Sequence, residues 1–331
     1  MRVLVTGGTG FVGSHVVAAL HAGGHTVRVL ARSASKAERV LAELGVGDVE
    51  IVVGDMTNPT AVAKAVVGCD SVVHAAAELA VVEGSTVERD TNLVGTRLVV
   101  SAALSAGLDP IIYTSSLAVH LPSSDPVITT ASAFAAPLSS YGASKLEAEQ
   151  LIRDLSVEGH PITTFVIGGV YGPVSPHLDN SFGAVIAALE TMMITPPGGC
   201  TVIDVRDLAE LISRAMKPNK GARRYLAGGT YLSWSQWVGA LEQAAGLPVA
   251  SKTVTEGELI ALGQKCDRLR AAGEPSLLLS EEAAILMCNG APTDDAPTLS
   301  DLEFCYRPVS ETLTDTVNYL RTIGRLPEPI A

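Results

Sequence analysis

A tyrosine and a lysine stand four residues apart in the segment Tyr141-Gly142-Ala143-Ser144-Lys145. In a helix, residues at i and i+4 share one face, so the phenol and the ammonium would be neighbours. A phenol has a pKa near ~10 and is a poor base at neutral pH until a nearby cation stabilises its phenolate. Lys145 supplies that cation, and three consecutive hydroxyl residues at 114–116 end the preceding predicted strand. The pattern predicts a site for acid–base catalysis.

A glycine-rich segment near the amino terminus, Thr6-Gly7-Gly8-Thr9-Gly10-Phe11-Val12-Gly13, follows a predicted strand and opens a predicted helix. In that context Gly7 permits a tight turn, Gly10 lets the backbone approach a pyrophosphate, and Gly13 allows close helix packing. The helix amino terminus then presents free N–H groups and a positive dipole end to the phosphates. The segment predicts a dinucleotide site rather than a glycine-rich turn without a ligand.

The end of the second predicted strand bears on the choice between NAD and NADP. NAD-selective sites usually carry Asp or Glu there, hydrogen-bonded to the ribose 2′-hydroxyl. Here the strand ends in Arg32, with Lys36 nearby and no acidic neighbour, so the guanidinium is expected to hold a 2′-phosphate. The alternative for Arg32 is a solvated surface residue. Asp55 and Met56 stand where a side chain meets the adenine, although Asp55 fits a turn equally well.

The elements that must position these residues alternate between strands and helices through the first half of the chain. Such alternation predicts a parallel, doubly wound sheet with right-handed crossovers. The predicted strands are Arg2–Thr6, Thr26–Ala31, Val49–Val53, Ser71–His74, Ile111–Thr114 and Ile162–Ile167. The predicted helices are Ser14–Ala22, Ser35–Leu44, a short one opened by Asn58-Pro59, one running from a capping box at Ser85 and Glu88 to Ala106, and Tyr141–Leu155.

The second half is predicted to be mostly helical. Its strands are Cys200–Val205 and Arg224–Ala227, and its helices are one capped by Ser233 that ends at Ala245, Thr255–Ala271, Ser310–Ile323 and a single helix after Ser280 within Gly273–Ser300. The predicted division is a dinucleotide-binding domain at 1–173, to which 200–228 returns. A substrate-binding region at 174–199 and 229–331 is interleaved with it.

These motifs resemble the extended short-chain dehydrogenase/reductase family, which includes nucleotide-sugar epimerases, dihydroflavonol reductases and 3β-hydroxysteroid dehydrogenases. The resemblance covers essentially the whole chain. The matches, in order, are T-G-x-x-G-x-x-G at 6–13, G-D-hydrophobic at 54–56, the segment at 73–77, N-x-x-G-T at 92–96, Y-x-x-x-K at 141–145, V-Y-G-P at 170–173 and V-x-D-[VL]-A at 205–209. The resemblance implies a Rossmann-type α/β fold with a smaller, mostly helical carboxyl-terminal substrate-binding region, and a possible homodimer.

The resemblance also assigns roles residue by residue. Tyr141 becomes the proton donor or acceptor, and Lys145 the partner that lowers its pKa. Ser116 polarises the substrate carbonyl, with Ser115 as the alternative. His120 stands where many relatives have tyrosine and is a pocket residue, a surface residue or a packed one. The expected cofactor contacts are Gly7, Thr9, Gly10, Phe11, Val12, Arg32, Asp55, Met56, Ala75, Ala76, Ala77, Thr114, Tyr141, Lys145 and Val170.

The expected function is reduction of a carbonyl, or oxidation of the alcohol, on a small and largely apolar molecule, with NADP(H) favoured over NAD(H). The predicted pocket residues are Leu79, Ala80, Val81, Leu117, Val119, Val170, Ile186, Met192 and Met193.

The alternative is a nucleotide-sugar epimerase or dehydratase that retains NAD(P). The Asn common near V-Y-G-P in epimerases is missing, but Asn180 is a possible substitute. The arginines available for a pyrophosphate are Arg223, Arg224, Arg268 and Arg270. A third class, an idle cofactor-sensing protein, is disfavoured by the intact serine, tyrosine and lysine.

Composition and charge exclude several other classes. A hydrophobic content of 47% over 331 residues excludes intrinsic disorder. The 23 basic and 35 acidic residues give a net charge of -12, which disfavours a nucleic-acid-binding surface. The five cysteines lack ligand-like spacing, so reduced thiols in a cytoplasmic protein are expected rather than a metal site. No apolar run approaches the ~18 residues of a membrane span.

Overall fold

The computed structural model describes residues 1–77, 91–138, 140–178, 181–277 and 279–327. Its strands are β1 Arg2–Thr6, β2 Thr26–Ala31, β3 Glu50–Val53, β4 Ser71–His74, β5 Ile111–Ser116, β6 Ile162–Ile167, β7 Val170–Tyr171, β8 Met193–Thr195, β9 Gly199–Asp204, β10 Arg223–Ala227, β11 Thr230–Ser233 and β12 Ser251–Thr253. Its helices are α1 Phe11–Ala22, α2 Ala34–Ala42, α3 Pro59–Val66, α4 Thr91–Ser105, α5 Ser140–Val157, α6 Ser181–Glu190, α7 Val205–Arg214, α8 Trp234–Ala245, α9 Glu256–Ala271, α10 Glu281–Cys288, α11 Ala296–Asp301 and α12 Val309–Thr322, with a 3₁₀ turn at Leu117–His120. The capping box predicted at Ser85 and Glu88 lies outside the described residues, as do Leu79, Ala80, Val81 and Asn180.

A parallel sheet of seven strands lies at the centre, in the order β10-β6-β5-β4-β1-β2-β3. The chain leaves β1 toward β2 and β3, then returns to place β4 on the other side of β1. The order therefore reverses between β1 and β4, and ligands of open α/β sheets bind at such a switch point. Gly7 follows β1 there, and Ala75 follows β4. The predicted doubly wound, Rossmann-type α/β fold is confirmed.

The two faces of the sheet are both buried, and most residues of its strands are apolar. Successive side chains of a strand point to opposite faces. Val3 and Val5 of β1 pack with residues of α1 and α7, whereas Leu4 packs with residues of α3, α4 and α5. The sheet is thus held between two helical layers, and its carboxyl edge is fixed in place.

The second half of the chain builds a smaller and mostly helical region beside this edge. Phe182 of α6, Trp237 of α8 and Leu313 of α12 are buried in one apolar cluster there. Strands β7, β9 and β11 form a separate three-stranded sheet, while β10 joins the main sheet beside β6. The precise division into domains stays a prediction. None of the helices in the described ranges is long and apolar enough to cross a membrane.

The prediction of a single helix within Gly273–Ser300 was incomplete. Helix α10 begins after Ser280, whose hydroxyl accepts a hydrogen bond from the Ala283 N–H, as expected. A second short helix, α11, follows it, and its N-cap residue Asp295 makes no side-chain capping bond. The Asp295 carboxylate accepts instead from the Gly229 N–H at 2.8 Å, a contact with a distant part of the chain. The sequence does carry a start signal for α11, with Asp295 at the N-cap and Pro297 in the first turn, and the prediction missed it.

Candidate active site

The glycine-rich turn between β1 and α1 forms one wall of a cavity at the switch point. Gly7 has a φ of +77°, and a Cβ there would stand 2.6 Å from the Ala76 nitrogen. A Cβ on Gly13 would stand 2.1 Å from the Gly7 oxygen, so α1 can approach the turn only because this residue is glycine. Gly10 caps α1 without a side-chain bond, and the first-turn N–H groups of a helix lack intrahelical acceptors. This turn fits a pyrophosphate.

The cavity has a volume of about 460 Å³ and extends from the glycine turn to α6. All the predicted cofactor contacts whose side chains are described line it: Gly7, Thr9, Gly10, Phe11, Val12, Arg32, Asp55, Met56, Ala75, Ala76, Ala77, Thr114, Lys145 and Val170. Ser115 and Ser116 line it as well. Tyr141 belongs to α5, but its side chain lies outside the described part of the structure. Contact of these residues with a cofactor stays a prediction.

Lys145 is a buried cation in the wall of this cavity. Only 6% of its surface is exposed, and burial lowers its pKa from 10.5 to about 8, against an opposing effect of the Glu149 carboxylate. Glu149 lies one turn further along α5, is fully buried and forms an ion pair with Arg224 of β10. The helix therefore holds a positive charge one turn after Tyr141, with a partly compensating negative charge behind it.

His120 is packed, and is neither a surface residue nor a residue of the cavity lining. It is 1% exposed and does not line the cavity. Its Nδ1 donates to the Ala133 carbonyl at 2.9 Å, which leaves Nε2 to accept from Arg224 at 3.2 Å. Burial lowers the pKa of His120, in keeping with a neutral ring. The imidazole thus holds Arg224 in place beside Glu149.

The two serines at the end of β5 differ in their surroundings. The Ser116 hydroxyl oxygen accepts from the Ala118 N–H at 3.2 Å, so its own proton remains available for donation. The Ser115 hydroxyl is buried and has no hydrogen-bond partner within the described residues. Both line the cavity, and the geometry leaves Ser115 as an alternative.

His74, at the end of β4, is neutral and tightly held beneath the cavity floor. Its Nδ1 lies 2.7 Å from the Thr6 hydroxyl and its Nε2 lies 3.0 Å from the Thr96 hydroxyl. Burial, followed by the charge of Lys145, lowers its pKa from 6.5 to about 3. The ring therefore links β1, β4 and α4, and its partner Thr6 lines the cavity.

His74 is expected to make the fold sensitive to acid. Above pH 6.5 the imidazole is neutral in the folded and in the unfolded chain. Between pH 6.5 and about pH 3 only the unfolded chain binds a proton at His74. The free energy of unfolding should therefore fall by about 2–3 kcal/mol between pH 6.5 and 4.5, at ~1.4 kcal/mol per pH unit. Urea unfolding of the unmodified protein and of His74→Gln across this range measures the effect. Equal pH slopes for the two proteins would contradict it.

Basic side chains gather where the cavity meets β2 and α2. Arg32 follows β2, and Lys36 of α2 places its Nζ 3.3 Å from Nε2 of His177, a residue of the second half of the chain. Arg32, Lys36 and His177 all line the cavity. The sequence motifs gave no indication of His177, because its contact with Lys36 joins residues that are 141 positions apart.

Asp55 is a turn residue that also lines the cavity, and its contact with the adenine stays a prediction. Its carboxylate accepts from the Thr57 N–H at 2.8 Å and from the Thr57 hydroxyl at 2.7 Å, as in a turn, and the residue also lines the cavity. Burial raises the pKa of Asp55, but these bonds and the charge of Arg32 outweigh it and lower the pKa overall. The expectation that Arg32 has no acidic neighbour was therefore wrong, since the fold brings β3 beside β2.

Most of the apolar residues expected in a substrate pocket belong to the core. Leu117 and Val119 belong to the 3₁₀ turn and are buried, Ile186 and Met193 pack in the cluster around Trp237, and Met192 is 44% exposed. Of that set, only Val170 lines the cavity within the described residues. The apolar wall is formed instead by residues that include Phe182 of α6, whose ring lies 5.2 Å from that of Phe11.

The candidate arginines for a substrate pyrophosphate all lie away from the cavity lining: Arg223, Arg224, Arg268 and Arg270. Arg224 is paired with Glu149. Arg223 donates to backbone carbonyls, and Arg270 pairs with Asp267 at 2.8 Å. Arg268 is exposed.

Known proteins resemble this chain in sequence and in fold. The model of the "NAD dependent epimerase/dehydratase family" matches residues 3–228. A 2-alkyl-3-oxoalkanoate reductase of Stenotrophomonas maltophilia is 29% identical over 84% of this chain and 87% of its own. A putative dihydroflavonol 4-reductase of Synechocystis is 30% identical over 76% of this chain and 74% of its own. The structure of a UDP-glucose-4-epimerase from Stenotrophomonas maltophila with bound NAD superimposes with a TM-score of 0.78 at 22% identity, covering 98% of this chain and 99% of that one.

Proposed function

We propose a function for this chain, which belongs to the NAD dependent epimerase/dehydratase family and is an NAD(P)-dependent enzyme of the extended short-chain dehydrogenase/reductase type. The chain uses NADPH to reduce a ketone or aldehyde on a small, largely apolar molecule. The family match confirms the resemblance drawn from the motifs. One fold supports many reactions, so the choice of reaction depends on the side chains of the site.

The chain's own residues would act on the carbonyl oxygen. A reduced nicotinamide, when bound, supplies hydride to carbonyl carbons. Ser116 donates its hydroxyl proton in a hydrogen bond to the carbonyl oxygen and so polarises the carbonyl, while Tyr141 donates the proton that the oxygen acquires. Lys145 stabilises the phenolate that remains, because its ammonium lies one helical turn away. Alcohol oxidation uses the same groups in reverse.

The positions of the basic residues favour an apolar substrate over a sugar nucleotide. A nucleoside diphosphate would bring two negative charges, and burying them without compensation is costly. In the described lining, the basic residues are Lys145 of the proposed catalytic set and Arg32, Lys36 and His177 at the far end, beside β2 and α2. No second group of cations is left for a substrate diphosphate among these residues. This distribution of charge carries the proposal, and relatives named as a 2-alkyl-3-oxoalkanoate reductase and a dihydroflavonol 4-reductase support it.

A side-by-side substrate assay tests this function. We expect NADPH oxidation, followed by the absorbance of the reduced nicotinamide, with 3-oxoalkanoates, steroid ketones or flavonoid ketones. We expect UDP- and GDP-sugars to be recovered unchanged by chromatography. The Tyr141→Phe protein controls for activity from contaminants. Conversion of UDP- or GDP-sugars, with the apolar carbonyls inert, would contradict the proposal and assign the chain to the epimerases or dehydratases.

A further inference from the structure

The segment 173–178 belongs to the second half of the chain. One of its side chains lies against the part of the cavity wall that the first half forms. His177 belongs to this segment, and its Nε2 lies 3.3 Å from the Lys36 Nζ. A lysine ammonium has only donors, so in this contact it donates to the imidazole. The two side chains line the same cavity as Arg32, which precedes Lys36 by four residues. Three basic groups therefore line one cavity, and two of them are in direct contact.

The backbone of this segment is held in a conformation that a free chain would avoid. Val174 has a φ of +56°, which is rare and costly for a β-branched residue. His15 Nε2 of α1 contacts the Pro173 carbonyl at 3.1 Å and the Val174 carbonyl at 3.0 Å. On the other side, the Tyr319 hydroxyl of α12 donates to the carbonyl of Ser175 at 2.8 Å. Contacts from both halves of the chain thus compensate for the strained backbone.

The anchored backbone in turn fixes the position of His177. The Ser175 hydroxyl donates to the His177 carbonyl at 2.6 Å, and its oxygen lies 3.3 Å from the His177 N–H. Ser175 itself is buried, whereas the His177 side chain is exposed. Since the main chain is bonded at each of these points, the imidazole is held beside Lys36 with little backbone freedom left to lose on binding.

The chemistry of this group suits a phosphate monoester. Such a phosphate carries about −1.5 to −2 charges and three acceptor oxygens at neutral pH, enough for several donors at once. Among the described residues that line the cavity there is one carboxylate, that of Asp55, which accepts two bonds from Thr57. A bound phosphate would allow Lys36 and His177 each to donate to it, in place of the contact between them.

Building on the NADPH preference proposed above, we infer that His177 is a specificity-determining residue that completes a 2′-phosphate subsite with Arg32 and Lys36. The anchored segment 173–178 sets the imidazole in place before the cofactor arrives. The adenosine end of the cofactor would then touch both halves of the chain, and His177 would distinguish NADPH from NADH.

Calorimetric titration of the full chain tests this subsite without any turnover. The ligands are 2′,5′-ADP and 5′-AMP, which differ only in the 2′-phosphate. His177→Ala should weaken 2′,5′-ADP binding by about 5- to 10-fold, the worth of one exposed hydrogen bond, and leave 5′-AMP unchanged. His177→Gln, which keeps a donor, should recover part of the loss. His160→Ala is the matched control, because His160 is a partly exposed histidine outside the cavity lining.

The possible outcomes separate this inference from the proposed cofactor preference. If His177→Ala leaves 2′,5′-ADP binding intact while the unmodified protein still prefers it over 5′-AMP, the role of His177 is refuted and the preference stands. If the variant loses affinity for both ligands equally, His177 acts on the nucleoside and not on the phosphate, which also refutes the subsite. Equal affinities of the unmodified protein for the two ligands would overturn the cofactor preference and the subsite together.

Discussion

Replacing Tyr141 by Phe is expected to lower kcat by ~10²-fold or more, while the Kd for NADPH stays nearly unchanged. The substitution removes the transferable proton and keeps the aromatic ring, so the loss falls on the chemical step. Stopped-flow or steady-state reduction of the best apolar ketone gives kcat, and a fluorescence titration gives Kd. Tyr231→Phe is the matched control, because it removes a phenol hydroxyl outside the cavity lining.

Lys145→Ala should differ from Tyr141→Phe by damaging both quantities. The lysine lines the cavity and is 6% exposed, so its removal takes away the charge that activates the phenol and one of the expected cofactor contacts. A raised Kd together with a lowered kcat is therefore expected for this variant. Normal turnover by the Tyr141→Phe protein would show that the acid–base role belongs elsewhere, whatever the effect of Lys145→Ala.

The central sheet was predictable because its signals are local. Strands β1, β2, β4 and β6 begin and end at the predicted residues, since each contains apolar residues that are buried in the sheet. The start of α1 was less predictable. The helix begins at Phe11, three residues before the predicted Ser14. Its N-cap residue, Gly10, makes no side-chain bond, so no capping residue marks this start in the sequence. The predicted start of α3 is confirmed, because the Asn58 side chain caps this helix and Pro59 follows it.

The residues that line the cavity were predictable where a motif contained them and unpredictable where only the tertiary fold placed them there. The glycine turn, Arg32, Ser116 and Lys145 line one cavity because the switch point brings the strand ends together. His177 was missed, since its place depends on contacts between distant segments. The same limit made Ile186 appear to be a pocket residue, although the fold turns it into the core. A sequence pattern shows that a helix has an apolar face but not what that face packs against.

The electrostatics of the cofactor site were also unpredictable from the sequence. Asp55 and Arg32 are 23 positions apart in the sequence, yet the pairing of β2 with β3 brings their charges close enough to lower the pKa of the carboxyl. A carboxylate in that place opposes the attraction of a 2′-phosphate. The magnitude of the preference for NADPH therefore depends on a contact that only the fold supplies.

Replacing Arg32 by Ala is expected to erase most of the preference for NADPH over NADH. A charge-assisted hydrogen bond is worth ~1.5–3 kcal/mol, or roughly 10- to 150-fold, and the nearby Asp55 carboxylate favours the lower end, about 10-fold. NADH affinity should change little, because the guanidinium is expected to contact only the added phosphate. Fluorescence titrations of both cofactors provide the two Kd values.

Arg39→Ala is the matched control for Arg32→Ala, since Arg39 is an exposed arginine of α2 outside the cavity lining. Equal binding of NADPH and NADH by the unmodified protein would refute the role given to Arg32. A residual preference of a few fold in Arg32→Ala is expected, because Lys36 and His177 still present donors to the phosphate. The double variant Arg32→Ala with Lys36→Ala tests where this residual preference arises. If the double variant binds NADPH and NADH equally, the remaining selectivity comes from the basic side chains where β2 and α2 meet the cavity.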